Sequence, residues 1–315
     1  MRETMYKIQF CANSTGRNAA VQGTRQKGMW VPMVNISEQL SENTDYIQGL
    51  FKNAMDFILR EFKIDGISAA LLAIEGLVNK QQIMLGVLNP IMRAAVLQTD
   101  GKAKMTYIQH NVLGAVDQIE LHTVDDIVSR LMNGFSILLV DGCSYGLAFG
   151  TQGFEKRSVS EPDSEVMQRG SREGFVETYI INMSMVRRRM KTPALKFEPI
   201  VIGEESRTPA ALCYLDTIVD PDILAEVKKR LKSCNLKDVL AAGYLTSYLE
   251  RPSIFESVGL TERPDTLCGK LHEGRIGILI DGTPTAVYVP YLFVENFQTV
   301  DDYTNRPFYA TFIRW

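Results

Sequence analysis

The sequence predicts an α/β protein built from two similar mixed α/β subdomains. An apparent internal duplication relates them, and a docked connector and a long helix join them. Three observations carry this reading. First, the halves repeat at near-constant spacing: Val78 and Val219 are 141 residues apart, and Gly134 and Gly274, like Asp141 and Asp281, are 140 apart. "Gly-Phe-Ser-Ile-Leu-Leu-Val-Asp-Gly" answers "Gly-Arg-Ile-Gly-Ile-Leu-Ile-Asp-Gly", and two matches at one spacing mark a repeated unit. Second, apolar runs of strand length alternate with stretches of helical periodicity in both halves. Third, residues 158–177 lie between the halves with Glu161, Asp163, Glu165, Glu173 and Glu177 interleaved with Arg169 and Arg172, and with Pro162, Gly170 and Gly174 among them. Free linkers favour Gly/Ser or Pro-rich composition or a block of one charge sign. This stretch has neither, so it reads as a connector docked by ion pairs and hydrogen bonds.

Residues 1–42 form a disordered or variable N-terminal segment in this reading. Arg2, Lys7, Arg17, Arg25 and Lys27 punctuate it without an apolar core, so it is not a secretory signal. The first subdomain covers 43–157. Tyr46, Ile47, Leu50, Phe51, Ala54, Met55, Ile58 and Phe62 recur at three- and four-residue spacing, which predicts one helix over 43–63. Asp65-Gly66 then turns into a buried strand over 67–74. A helix is predicted over 81–96, disturbed at Asn89-Pro90, and a loop over 98–109 around Asp100-Gly101. Thr123 has the position of a helix cap, with Asp126 three residues on and Gly134 closing the helix. Residues 135–140 and 145–149 read as strands around Asp141-Gly142.

The connector and linking helix cover 158–193. Ser171 stands as the cap, and Val176, Tyr179, Ile180, Met183, Val186 and Met190 form an apolar stripe. Arg187, Arg188, Arg189 and Lys191 crowd its last turn before Pro193, where cations suit the helix dipole. A helix of about 21 residues would span about 30 Å. The triple Arg reads as a solvated helix end or as a contact for a partner or anionic headgroups. The second subdomain covers 194–300. It has a strand at 209–215, a helix begun by Asp220-Pro221, a short helix over 264–272, and strands at 276–280 and 286–289. Residues 301–315 form a final segment ending in Pro307-Phe-Tyr-Ala-Thr-Phe-Ile-Arg-Trp315. Its aromatic content suits a membrane interface and equally a segment docked on the core.

Several function classes fall away. A composition of 45% hydrophobic and 23% charged residues is that of a globular chain, and a net charge of −3 argues against a nucleic-acid partner. No window reaches the roughly 18 apolar residues of a membrane span. The five cysteines (Cys11, Cys143, Cys213, Cys234 and Cys268) are far apart, which favours reduced thiols over a disulfide framework. His110, His122 and His272 are isolated, which argues against a metal site. There is no P-loop, dinucleotide fingerprint, nucleophile elbow or H-E-x-x-H. The carboxylates of 161–177 sit among Arg169 and Arg172, which favours salt-bridged structure over acid/base or metal chemistry. Glu262, Arg263, Pro264 and Asp265 read likewise as a helix start. No catalytic, cofactor or metal residue is expected. The interface residues expected instead are Glu161, Pro162, Glu165, Arg169, Gly170, Arg172, Glu173, Gly174, Phe175, Glu177, Arg187, Arg188, Arg189, Glu262, Arg263, Pro264 and Asp265.

Five motifs occur in order: Ser160-Glu-Pro-Asp-Ser-Glu165 continuing to Arg169-Gly-Ser-Arg-Glu-Gly-Phe-Val-Glu177, Arg187-Arg-Arg189, Thr261-Glu-Arg-Pro-Asp265, Gly274-Arg275 with Asp281-Gly-Thr-Pro284, and Asp301-Asp-Tyr303. The series resembles the A subunits of GerA-type spore germinant receptors from about residue 64 to the C-terminus. The resemblance implies a domain on the cytosolic (core) side of the spore inner membrane, followed by membrane-spanning helices that are absent here. Phe312-Ile-Arg-Trp315 would border the first of them. It implies assembly with a transporter-like B subunit and a lipoprotein C subunit, a homo-oligomer in the full receptor, and no enzymatic activity. It further implies a role in nutrient sensing and ion release, with the A subunit in the conducting part. Ser171 stands where the family has Pro, Pro252-Ser-Ile-Phe255 replaces Pro-Phe-Pro, and Thr304 replaces a second Tyr. These departures touch individual loops. The alternative from the residues alone is a two-lobed small-molecule binding module that holds a nutrient in its interlobe cleft.

Overall fold

The computed structural model describes residues 34–94, 100–113, 117–153, 173–234, 236–238, 241–250, 256–292 and 295. Its first building block is a hairpin. Strands β1 (Phe57–Ile64) and β2 (Ile67–Ile74) pair antiparallel from Phe57 opposite Ile74 to Ile64 opposite Ile67. Asp65 and Gly66 hold φ of 43° and 88°, the two positive values of the tight turn that matches strand twist. Helix α1 (Leu40–Leu50) precedes it. The single helix expected over 43–63 is therefore wrong in its second half. Phe57 and Leu59 pack on one face of the sheet, and Ile58, Phe62 and Ile64 on the other. That period of two suits a strand buried on both sides, and eight backbone pairings to β2 outweigh the local helical spacing.

The hairpin extends into a five-stranded sheet with β3 (Gln118–Leu121), β4 (Ser136–Val140) and β5 (Gly146–Phe149), in the order β1-β2-β4-β5-β3. Helices α1 and α5 (Val124–Met132) cover one face through Ile47, Ile127 and Leu131. The other face is covered by α2 (Lys80–Ile83), α3 (Asn89–Arg93) and α4 (Gly101–Tyr107), through Ile83, Ile91 and Met105. A strand covered on both faces is apolar throughout, which is why Ser136–Val140 is buried at every position.

The second lobe repeats the plan. Helix α6 (Tyr179–Arg189) comes first, then β6 (Leu195–Ile202) and β7 (Thr208–Leu215). Helices α7 (Pro221–Lys232) and α8 (Gly243–Leu249) follow, then β8 (Gly259–Thr261), α9 (Pro264–His272), β9 (Ile276–Ile280) and β10 (Ala286–Val289). The strand order β6-β7-β9-β10-β8 is that of the first sheet. Helices α6 and α9 cover one face and α7 and α8 the other.

Matching bonds recur at matching places. Asp141 Oδ1 accepts from the Leu40 amide at 2.9 Å and Asp281 Oδ1 from the Tyr179 amide at 3.2 Å, so each Asp-Gly turn caps the first helix of its lobe. Gly142 N donates to Glu38 O and Gly282 N to Glu177 O. Buried Asn43 bonds both backbone groups of Ser37, as Asn182 does those of Val176. Asp141→Ala and Asp281→Ala should each cost about 1 kcal/mol, the usual worth of a helix cap. Urea unfolding measures this, and midpoints equal to the parent's would refute the cap.

Four further expectations change. The helix expected to run through the connector is α6 alone, 11 residues and about 16 Å long. It belongs to the second lobe, where it takes the place of α1. Ser171, its expected cap, lies outside the described residues, and Thr178 holds the cap position. Residues 101–112 are helical rather than loop, because Asp100 caps α4 by accepting from Ala103 N and a π-helical turn, Ile108–Val112, continues it. Asn89-Pro90 does not break its helix: the wide turn Met84–Leu88 absorbs the missing donor, and Pro90 falls in the first turn of α3. Residues 34–42 are placed against the first lobe in the fold, since Ile36 is buried and its amide donates to His122 O. Residues 1–33 and 301–315 lie outside the described residues.

Candidate functional site

The joint between the lobes is held by charge in a place without water. Asp56 lies between α1 and β1, and Arg187 lies on α6. Arg187 Nε donates to Asp56 Oδ2 at 2.7 Å and Nη2 to Oδ1 at 2.9 Å, a two-pronged pair whose side chains are 0% and 2% exposed. Two further donors of Arg187 reach Thr192 O at 2.8 Å and Leu195 O at 3.0 Å. Its guanidinium lies over the Phe197 ring, 4.9 Å from the centroid. Four hydrogen bonds and an aromatic face replace the lost water, which is the condition for a buried charge to be tolerated.

Main chain and side chain extend the joint. Met55 N donates to Phe197 O at 2.9 Å, and Ala54 bridges to Phe197 in parallel sense. Lys196 Nζ reaches back to Leu50 O at 2.7 Å. Burial, the largest influence on that amine, pulls its pKa down. Lys191 Nζ donates to Asn133 Oδ1 at 2.6 Å. At Gly76 a side chain would not fit, since a Cβ there would come within 2.8 Å of Ser184 Cβ.

A second cluster anchors the end of the connector. Glu173 bonds Arg188 and Arg189, each at 2.5 Å. Phe175 N donates to Glu262 O at 2.7 Å and the Phe175 ring enters the second-lobe core. Arg263, 1% exposed, pairs with Asp265 at 2.6 Å, and Pro264 opens α9. Burial pushes the Glu173 carboxyl up, but the hydrogen bonds from Arg188 and Arg189 more than offset this, and its pKa is lowered. A lowered folded value contributes stability above the ordinary carboxylate value of 4.5, lost as the pH falls through the folded value. Acid unfolding should therefore steepen below about pH 4.5, and Glu173→Gln should flatten that limb. A pH–stability curve unchanged by the substitution would contradict the pairing.

The structure thus brings Glu173, Phe175, Arg188, Arg189 and Glu262 together, with Arg263, Pro264 and Asp265 at the adjoining start of α9. Gly174 is buried beside them, and Glu177 is exposed, contributing its carbonyl to Gly282 N. Glu161, Pro162, Glu165, Arg169, Gly170 and Arg172 lie outside the described residues. Arg187 overturns the solvated-end reading of the triple Arg, because the first of the three is fully buried. Asp56 escaped the sequence reading. Its one signal was a carboxylate set between Met55 and Phe57 in an otherwise apolar run.

Among the described residues no group of three or more His, Cys, Asp or Glu side chains could hold a metal ion. Burial pushes the Cys268 thiol up to about 12 and raises Cys213 further, so both stay protonated near neutrality. A cavity of about 500 Å³ is lined by Leu40, Glu61, Lys63, Ser68 and Asp141, and another of about 480 Å³ by Asp100, Lys102, Thr106 and His110. Both belong to the first lobe. No helix among the described residues is long and apolar enough to cross a membrane.

The sequence model of the "Bacillus/Clostridium GerA spore germination protein" family matches residues 45–315. Spore germination protein KA of Bacillus subtilis (strain 168) is 36% identical over 286 residues, covering 89% of this chain and 52% of that protein. The uncharacterized membrane protein YfkQ of the same organism is 33% identical over 284 residues, covering 89% of this chain and 55% of its own length. The chain spans little more than half the length of these relatives. The crystal structure of the N-terminal domain of the A subunit of the Bacillus megaterium spore germinant receptor GerK3 superposes with a TM-score of 0.66 at 31% identity, covering 83% of this chain and 98% of that one. The match over 45–315, the relatives and the shared fold agree: this chain belongs to the GerA family of spore germination proteins.

Proposed function

We propose that the chain is the non-enzymatic domain of a germinant receptor A subunit, on the core side of the spore inner membrane. There it couples nutrient sensing to germination and ion release, in an assembly with a transporter-like B subunit, a lipoprotein C subunit and further copies of itself. The observation that carries this reading is the interlobe joint. Two lobes of one topology meet at a buried Arg187–Asp56 pair. Such a joint is suited to holding or changing a relative orientation.

Spores lacking the gene test the proposal. They should lose the response to at least one class of nutrient in a panel of amino acids, sugars and nucleosides, scored by ion release. Unchanged responses to the whole panel would sink the reading. Calorimetry of the 315-residue chain with the same panel separates it from the binding-module alternative. Saturable binding to the isolated chain would favour that alternative.

A further inference from the structure

Each lobe holds the described residues that follow its last strand by bonds of its own. After β5 the first lobe is closed by main-chain bonds: Asn79 N donates to Thr151 O at 2.8 Å and Gly153 N to Leu77 O at 3.2 Å. After β10 the second lobe is closed by a carboxylate. Glu295, 8% exposed, receives Lys270 Nζ at 2.7 Å and Tyr288 Oη at 3.3 Å on Oε2. Its Oε1 receives Leu292 N at 2.9 Å and the Arg275 guanidinium. Arg275 also donates to Pro290 O at 3.2 Å, and both cations lie beside the Tyr288 ring. Three elements, α9, the start of β9, and β10, therefore converge on one side chain just past the last strand.

The first lobe carries Glu155 at the position answering Glu295, and that residue lies outside the described ones. At the positions answering Lys270, Arg275 and Tyr288 it has Arg130, Phe135 and Ala148, and Arg130 simply covers the Phe135 ring at 5.3 Å. Burial raises the Glu295 carboxyl, the bonds from Lys270, Leu292 and Arg275 outweigh it, and its pKa is lowered, so the carboxylate is charged at neutral pH.

Helix α9 links this cluster to the joint. Leu267, Cys268 and Leu271 of α9 pack in one core with Met183 and Val186 of α6, the helix that carries Arg187. We infer that Glu295 is a latch that ties the outgoing chain to α9, so that a change at the Arg187–Asp56 joint is transmitted through α6 and α9 to the point where the chain leaves the second lobe. The inference deepens the proposed coupling role, but its test needs no spore.

Hydrogen–deuterium exchange on the 315-residue chain reads it out. Asp56→Asn loosens the joint and should speed exchange of residues 286–292 at least tenfold as well as that of 54–57. Glu295→Gln should speed exchange of 286–292 tenfold and leave 54–57 at the parent rate. If Glu295→Gln does not fold, Tyr288→Phe, which removes one of the bonds to the carboxylate, should speed 286–292 selectively by a smaller factor. The latch is overturned if Asp56→Asn loosens 54–57 alone, or if the latch variants leave 286–292 at the parent rate. Loss of the germination response with these outcomes absent would uphold the receptor reading and reject the latch.

Discussion

Asp56→Ala is expected to be among the most damaging single changes, costing about 3–5 kcal/mol of unfolding free energy. The substitution deletes no large side chain. It leaves the Arg187 guanidinium, 0% exposed, with two backbone carbonyls and the Phe197 face but no counter-charge. An uncompensated buried charge sets the size of the effect, and the retained carbonyls place it towards the lower end. The double variant Asp56→Leu with Arg187→Met should recover much of the loss, because a buried pair replaced by apolar side chains of similar volume is often neutral. Urea unfolding of the parent, Asp56→Leu, Arg187→Met and the double variant gives the coupling energy directly. A single variant within about 0.5 kcal/mol of the parent would show that water reaches Arg187 and that the joint is open in solution.

Gly101→Ala is expected to cost about 3 kcal/mol, at the upper end of overpacking effects. Alanine is ordinarily the better helix former, by about 0.8–1 kcal/mol. Here the sign reverses. Gly101 opens α4, and a Cβ there would lie 1.9 Å from Asp141 O and 3.1 Å from Gly142 Cα. Both are backbone atoms of the turn whose carboxylate caps α1, so relief by movement breaks the bond to the Leu40 amide. Gly269→Ala is the matched control. Gly269 lies within α9 with nothing within 4 Å of its Cβ position, so that change should stabilise by about 0.5–1 kcal/mol. Equal effects from the two substitutions would refute the close approach at Gly101.

Much of the fold is legible in the residues. The strands at 67–74, 276–280 and 286–289 and the helix at 264–272 are found where the apolar runs and turn signals put them. Both faces of each sheet are covered, so their strands are continuously apolar and stand out. The elements that were missed carry weaker patterns. Edge strand β6 contains Pro199, and β8 is three residues long. Phe57–Ile64 has apolar residues that satisfy helical spacing as well as alternation, and only its pairing with Ile67–Ile74 decides between them. The family was legible too, because its motifs fall in order along one chain.

By itself the sequence determined the α/β class, the repeat at about 140 residues, most strand positions, and the Asp-Gly turns that recur in both halves. These follow from local periodicity and turn chemistry, which are written in consecutive residues. The tertiary structure alone decided what those turns hold, since Asp141 and Asp281 cap helices that start 101 and 102 residues earlier. It alone chose which arginine is buried. Arg187, Arg188 and Arg189 are chemically identical neighbours, and the helix separates the first from the other two: Arg187 faces Asp56 of the other lobe, while Arg188 and Arg189 both reach Glu173. Asp56 and Arg187 lie 131 residues apart, and the worth of their pair comes from the exclusion of water when two lobes close on it. No local pattern encodes that exclusion, so it exists only in the folded chain.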